Sequence, residues 1–123
     1  MSRRAALLLR ARAASSETTT STVYALAQLS IHDRARYDRY ASRFLKVLER
    51  FEGRLLAADE SPDVVEGEWT HQKVVLIAFP SRPAFERWAS SPEYQEISKD
   101  RVASTTGTVL LVAGLRPWSG GAS

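Results

Sequence analysis

The chain has 123 residues, a length typical of one domain that buries a core without covalent staples. It contains no cysteine, which excludes a disulfide framework, a thiol nucleophile and a thiolate metal site and fits a reducing compartment. No apolar run approaches the roughly 20 residues of a membrane span. We therefore expect a cytoplasmic protein.

The basic isoelectric point of about 9.6 arises at the N-terminal end of the chain. Residues 1–21 contain four arginines and one glutamate, whereas residues 22–123 contain 13 basic and 13 acidic side chains. A body without net charge has no overall field that attracts a polyanion. We expect neither nucleic acid nor a membrane as a partner.

Three segments differ in composition. Residues 1–21 are rich in Ala, Arg, Ser and Thr and are predicted to be a disordered N-terminal extension. Residues 22–115 contain all the predicted helices and strands and form the domain. Residues 116–123 are predicted to be a flexible C-terminal tail.

The first half of the domain contains a strand, a helix and a second strand. TVYALAQLSI (22–31) alternates in the way of a strand, and Asp33 has the side chain of a helix N-cap. Residues 34–51 carry apolar side chains at spacings of three and four, which predicts a helix. Gly53 is expected to end this helix as a left-handed glycine, and RLLAAD (54–59) is the second strand.

The second half mirrors the first. A turn at ESPD (60–63) leads to a short extended arm and then to KVVLIAFP (73–80), a strand that is apolar on both faces. Ser81 is the predicted N-cap of a second helix, which restarts at Ser91 and Pro92. TVLLVAGL (108–115) is the last strand and is also apolar on both faces.

A basic stripe runs along the first helix. It is formed by Arg36, Arg39, Arg43, Lys46 and Arg50. Such a stripe can bind an anion, but no aromatic residue interleaves with it to stack on bases. Because residues 22–123 have no net charge, we expect this stripe to be a solvated helix face.

The order strand, helix, strand, strand, helix, strand predicts a ferredoxin-like α+β fold, with a four-stranded antiparallel sheet and two helices on one face. The helices cover only one face of the sheet. The doubly apolar third and fourth strands would leave a large apolar patch on the other face. A second copy of the same sheet is the simplest cover, so we expect a homodimer packed sheet to sheet.

The chain resembles the domain-of-unknown-function 1330 family over about residues 22–115. The resemblance is carried by the motifs GR (53–54), EGEW (66–69), FPS (79–81), Trp88 and SPEYQ (91–95). The family implies a dimeric α+β barrel, in agreement with the expected homodimer. It implies no reaction, since its members have no agreed activity. Related barrels include cofactor-free monooxygenases, isomerases and heme enzymes, so the fold does not choose among them.

Candidate site residues centre on VVEGEWTH (64–71), which places two carboxylates, a tryptophan and a histidine together. Glu66 is expected to pair with Arg54 or Arg101, because a carboxylate beside Val64, Val65 and Trp69 loses hydration. The alternative is that the segment is only a bend. The candidate ligand-binding residues are Arg54, Glu66, Trp69, His71, Trp88, Tyr94 and Arg101.

The function predicted from these residues is binding of a small hydrophobic or aromatic molecule between sheet and helices. One alternative is an enzyme similar to cofactor-independent monooxygenases or isomerases, with Glu66 or His71 as proton carrier. The other is a structural or regulatory dimer that binds no ligand. His32 and His71 have no metal-ligand spacing, and we expect neither a metal nor a cofactor.

Overall fold

The computed structural model describes residues 21–118. The elements follow the order strand, helix, strand, strand, helix, helix, strand. They are β1 (Ser21–Ile31), α1 (Arg34–Glu49), β2 (Arg54–Asp59), β3 (Lys73–Phe79), α2 (Arg82–Ser90), α3 (Pro92–Ser104) and β4 (Thr105–Pro117).

The four strands form one antiparallel sheet in the order β2-β3-β1-β4. Leu26 of β1 lies between Leu76 of β3 and Leu110 of β4, which fixes the register across the sheet. The odd-numbered residues of β1 and β3 face the helices, as the burial of Val23, Ala25, Leu29 and of Val75 and Ile77 shows. This is the predicted ferredoxin-like α+β fold, with the second helical region divided into α2 and α3.

The helices begin at the predicted residues. The side chain of Asp33 accepts a hydrogen bond from the Arg36 amide at the start of α1. Ser81 accepts one from the Ala84 amide, and Ser91 accepts one from the Tyr94 amide. Each cap satisfies an amide that has no partner within its helix, and the three cap predictions are confirmed.

The turn after α1 differs from the prediction. Glu52, and not Gly53, occupies the left-handed region, with φ of 69°. Gly53 is required for another reason: a Cβ at this position would lie 2.7 Å from Cγ of Leu48 and 2.9 Å from Cε1 of Phe79. Leu48 and Phe79 are both fully buried, so the glycine lets the chain pass close to the core.

The basic stripe of α1 forms ion pairs with the neighbouring helix α3. Arg36 Nε lies 3.4 Å and Arg39 Nη2 3.3 Å from Oδ1 of Asp100 on α3. Arg50 lies 3.4 Å from Glu93 of the same helix. Three of the five stripe residues are thus paired across the two helices, and Arg43 and Lys46 are exposed.

Strands β1 and β4 both extend beyond the predicted domain bounds of 22–115. Ser21 pairs with Pro117, so β4 continues past Leu115. The Arg54 guanidinium lies 4.0 Å from the ring centroid of Trp118. Residues 116 and 117 thus belong to β4 and Trp118 contacts Arg54, whereas the sequence pattern assigned 116–118 to the C-terminal tail. The predictions for 1–20 and for 119–123 fall outside the described residues.

None of the helices within residues 21–118 combines the length and the apolar character that crossing a bilayer requires.

The outer face of the sheet, which points away from the helices, is unevenly covered. On β3, Ala78 is buried and Leu76 is half-buried. On β4, Leu110 and Val112 remain 45% and 43% exposed. The expected burial of β4 on both faces is thus not achieved within a single chain.

Candidate functional site

A cavity of about 670 Å³ lies between the sheet and the three helices. Its floor consists of small or aliphatic side chains on the helix-facing side of the sheet, including Ala25 and Ala27 of β1. Gly107 of β4 pairs with Leu29 and extends this floor. These small residues leave room that larger side chains would fill, and the volume is within the range of about 300–1,000 Å³ usual for ligand pockets.

Aromatic rings from all three helices form the roof of the cavity. Tyr37, Tyr40 and Phe44 come from α1, Trp88 from α2 and Tyr94 from α3. The rings contact one another, with centroids 4.0 Å apart for Trp88 and Tyr94 and 6.2 Å apart for Tyr40 and Tyr94. Mutual packing of this kind restrains the rings and gives the cavity a defined shape.

A buried polar group interrupts the apolar wall. The hydroxyl oxygens of Tyr40 and Tyr94 are 3.0 Å apart and share a hydrogen bond. Burial, together with the neighbouring Tyr94, raises the pKa of Tyr40 well above its ordinary value. Tyr40 therefore keeps its proton at neutral pH.

Arg101 of α3 adds a positive charge beside these hydroxyls. Burial acts to lower its pKa, but the neighbouring Tyr94 and Tyr40 hydroxyls outweigh that effect and the pKa is raised. Arg101 therefore stays charged at every accessible pH. Its Nε atom is buried and has no hydrogen-bond partner within residues 21–118.

Lys73 is the other cationic residue that lines the cavity, and its charge is compensated. Nζ lies 3.5 Å from Oε2 of Glu60 and 4.7 Å from the centroid of the Tyr37 ring. Glu60 also accepts hydrogen bonds of 2.7 and 3.1 Å from Arg34. These bonds lower the pKa of Glu60, so it stays ionised beside Lys73.

The rim of the cavity is apolar and accessible. Leu45 of α1 and Leu55 of β2 line it on one side and are 47% and 36% exposed. Val102 of α3 and Val109 of β4 line it on the other side and are 62% and 38% exposed. Apolar molecules can reach the interior past these side chains without first crossing a charged barrier.

The structure brings together three of the seven candidate residues. Trp88, Tyr94 and Arg101 all line the cavity. Arg54 does not; it pairs with Ala78 in the sheet and stacks on Trp118. The remaining three, Glu66, Trp69 and His71, also lie outside the cavity lining.

The end of the segment 64–71, at Trp69 and His71, packs instead on the outer face of the sheet. Trp69 Nε1 donates a hydrogen bond of 2.7 Å to Oε1 of Gln28, and Nδ1 of His71 lies 3.1 Å from the Ser30 hydroxyl. Gln28 and Ser30 have the parity of β1 that points away from the helices. Trp69 and His71 therefore help to cover that face rather than to form the cavity.

The predicted ion pair of Glu66 is wrong. Glu66 is exposed, and within the described chain neither Arg54 nor Arg101 forms an ion pair with it. Gly67 has φ of 91° with open space around it, as a solvent-exposed bend requires. Because Glu66 is hydrated, its carboxylate has no need of a guanidinium partner, and this part of the segment is a bend.

Sequence reasoning did not single out Tyr40 among residues 34–51 and missed that it lines the cavity. A signal was available, because a tyrosine on the apolar face of a helix carries a hydroxyl that needs a buried partner. Tyr94 and Arg101 are seven residues apart, which places them on one face of α3. Only the packing of α1 against α3 shows that Tyr40 joins Tyr94 and Arg101 in one polar cluster of the cavity.

Comparison with known proteins supports the fold and adds no activity. The chain is similar to a crystal structure of a protein of unknown function from Rhodopseudomonas palustris, with 19% identity, coverage of 80% of this chain and 85% of that chain, and a TM-score of 0.69. It is also similar to SnoaB, a cofactor-independent oxygenase from Streptomyces nogalater, with 14% identity, coverage of 78% and 95%, and a TM-score of 0.58.

A dimeric ferredoxin-like protein of unknown function from Jannaschia sp. CCS1 is a third similar structure, with 19% identity, coverage of 76% and 97%, and a TM-score of 0.55. No functionally curated protein matches the sequence. The sequence model of one family, described as a domain of unknown function (DUF1330), matches residues 22–115. The chain therefore belongs to the DUF1330 family.

Proposed function

We propose that this protein is a homodimer that binds a small hydrophobic or aromatic molecule in the cavity between sheet and helices. The observation that carries the proposal is the cavity itself, with about 670 Å³ of space between aromatic rings and small aliphatic residues. In a small domain the side chains would normally pack together and fill a space this large, because unfilled apolar volume is costly. A bound molecule supplies the missing contacts.

A neutral fluorescent probe, N-phenyl-1-naphthylamine, tests this function without involving charge. Ala41 of α1 lines the cavity and is exposed, so a larger side chain is accommodated there without disturbing the core. We expect Ala41→Phe to weaken probe binding several-fold. Ala35→Phe, at an exposed position of the same helix outside the cavity, is the matched control and should bind as the wild type does. Equal binding by the two variants would contradict the proposal.

The dimer rests on the outer face of the sheet. Leu110 and Val112 of β4 are each more than 40% exposed, and their partners on β1 are Leu26 and Tyr24. The similar proteins from Jannaschia sp. CCS1 and Bacteroides fragilis are described as dimeric. A second copy packed against the same face would remove this apolar surface from water.

Light scattering tests the dimer directly. We expect a mass of twice 13.7 kDa for the wild type. Leu110→Glu places a carboxylate on the outer face and should give a monomer or an unfolded chain. Leu111 is unsuitable for this test because it packs against the core on the helix side, and Ala35→Glu on exposed α1 is the control that should remain dimeric. A compact wild-type monomer would contradict the proposal.

A cofactor-independent oxygenase is the second candidate, and one observation favours it. Arg101 and two tyrosine hydroxyls meet in an apolar cavity, an arrangement suited to stabilising an enolate. Anthrone is a suitable probe: oxidation of its CH₂ group by one O₂ gives anthraquinone and one water. Oxygen uptake that Arg101→Met abolishes would support this candidate, and uptake no faster than in buffer would exclude anthrone-type oxygenation.

A further inference from the structure

The charged side chains that line the cavity are all positive. Its ionisable lining residues are Lys73, Arg101 and the three tyrosines at 37, 40 and 94, and no aspartate or glutamate lines it within the described chain. The Lys73 charge is compensated by Glu60 at the edge of the cavity. Arg101 forms no ion pair with any residue between 21 and 118, so the cavity carries one uncompensated positive charge.

Two hydrogen-bond donors of the cavity residues also lack acceptors. Arg101 Nε and Trp88 Nε1 are buried without a partner in the part of the chain that the structure describes. The Tyr40 and Tyr94 hydroxyls share one hydrogen bond, which leaves one of their two hydrogens free to donate. Buried donors are almost always satisfied in folded proteins. Arg101 is half-buried and is hydrogen-bonded to Tyr94, but it has no opposite charge beside it, which is costly for a cation partly removed from water. A ligand that satisfies these donors and this positive charge must accept hydrogen bonds and carry a negative charge.

We propose that the ligand of this cavity is an amphipathic monocarboxylate, whose carboxylate is held by Arg101 and the Tyr40–Tyr94 pair and whose apolar body lies against the aromatic roof. The inference rests on the proposed binding function and adds the chemical class of the ligand. A single negative charge matches the single uncompensated guanidinium. The tyrosine that keeps a free hydroxyl hydrogen adds a second donor to the same carboxylate, since both tyrosines adjoin Arg101.

Two probes of the same shape separate charge from size. Naphthalene-2-carboxylate and naphthalene-2-carboxamide differ in charge but have nearly equal volume. Titration calorimetry with the full chain should show the carboxylate binding at least about tenfold more tightly than the amide, as charge-assisted hydrogen bonds in a buried site imply. This comparison uses only the wild type and so does not depend on the folding of any variant.

Substitution of Arg101 then identifies the residue responsible. Arg101→Met should abolish the preference for the carboxylate while the amide binds as before. Its melting temperature should stay equal or rise, because a half-buried charge without an ionic partner has been removed; a merely structural arginine would lower it. Arg43→Met, on the exposed face of α1 outside the cavity, should keep the preference for the carboxylate.

Other results would overturn the inference in distinguishable ways. If carboxylate and amide bind equally, the cavity takes neutral ligands: the ligand class is wrong and the proposed function stands. If neither binds and N-phenyl-1-naphthylamine does not bind either, both proposals fail. If Arg101→Met retains the preference, Arg101 does not hold the anion.

Discussion

Replacing Gly53 with alanine is expected to destabilise the protein, because the added methyl group would occupy space already taken. Its position lies 2.7 Å from Cγ of Leu48 and 2.9 Å from Cε1 of Phe79, about 1 Å inside ordinary carbon–carbon contact. Both neighbours are fully buried, so moving either of them away disturbs the packed core. Overpacking of this kind costs about 1–3 kcal/mol.

Part of that cost is offset in the unfolded state. Alanine lowers the entropy of the unfolded chain relative to glycine, which stabilises by about 0.4–1 kcal/mol. The expected net loss for Gly53→Ala is therefore about 1–2 kcal/mol. For a chain of this size the loss corresponds to a fall in melting temperature of about 4–10 °C.

Glu52→Gly is the matched variant and should have the opposite sign. Glu52 has φ of 69°, a conformation that costs an L-residue about 1–2 kcal/mol. Glycine relieves this cost but loses about 0.5–1 kcal/mol of chain entropy, so a gain of about 0.5 kcal/mol remains. The Glu52–Arg87 contact of 3.8 Å joins two exposed side chains and contributes little.

Urea unfolding at one fixed protein concentration measures both variants, since the stability of a dimer depends on concentration. A stable Gly53→Asn variant, together with a destabilised Glu52→Gly variant, would refute this reasoning. Asparagine tolerates the left-handed region but is larger than alanine. Gly53→Asn would therefore be stable only if position 53 needs glycine for its backbone conformation and not for its small size.

Three further predictions concern titratable residues. Burial raises the pKa of Tyr40, so above about pH 10 only the unfolded state releases that proton and the wild type loses stability as the pH rises. Tyr40→Phe should make this loss of stability smaller. Urea unfolding from pH 8 to 11 measures the difference. Glu60→Gln should cost less than about 1 kcal/mol in thermal unfolding at pH 7, and this cost should shrink as the pH falls below the ordinary glutamate pKa and vanish only below the lowered pKa of Glu60. The reason is that Arg34 lowers the pKa of this exposed carboxyl, whose stabilising contribution is lost as the pH falls. Glu66→Gln should change neither melting temperature nor probe binding, and a loss of either would show that this exposed residue has a partner.

Local signals in the sequence determine much of the fold. Asp33, Ser81 and Ser91 cap helices where expected because a cap needs only an amide two or three residues away. The β-strands followed from alternation and from continuous apolar runs. The family motifs agree with the match over residues 22–115.

The site was harder to predict because its members meet only through tertiary packing. The apolar neighbours of Glu66 suggested a dehydrated carboxylate with an arginine partner, but Val64 and Val65 are themselves exposed in a segment without a regular strand. Its attachment to Gln28 and Ser30 depends on side-chain contacts across 41 residues. The left-handed Glu52 was missed for a related reason, since glycine next to a helix end usually adopts that conformation itself.

The account's central claim, that the cavity between sheet and helices is the binding site, is tested most directly by mapping amide chemical shifts during titration with naphthalene-2-carboxylate. We predict that the perturbed amides cluster on the helix-facing side, around Ala25, Ala27, Tyr94 and Arg101. Shifts confined to residues 64–71 and the outer face of the sheet, or no shifts at saturating probe, would contradict the claim.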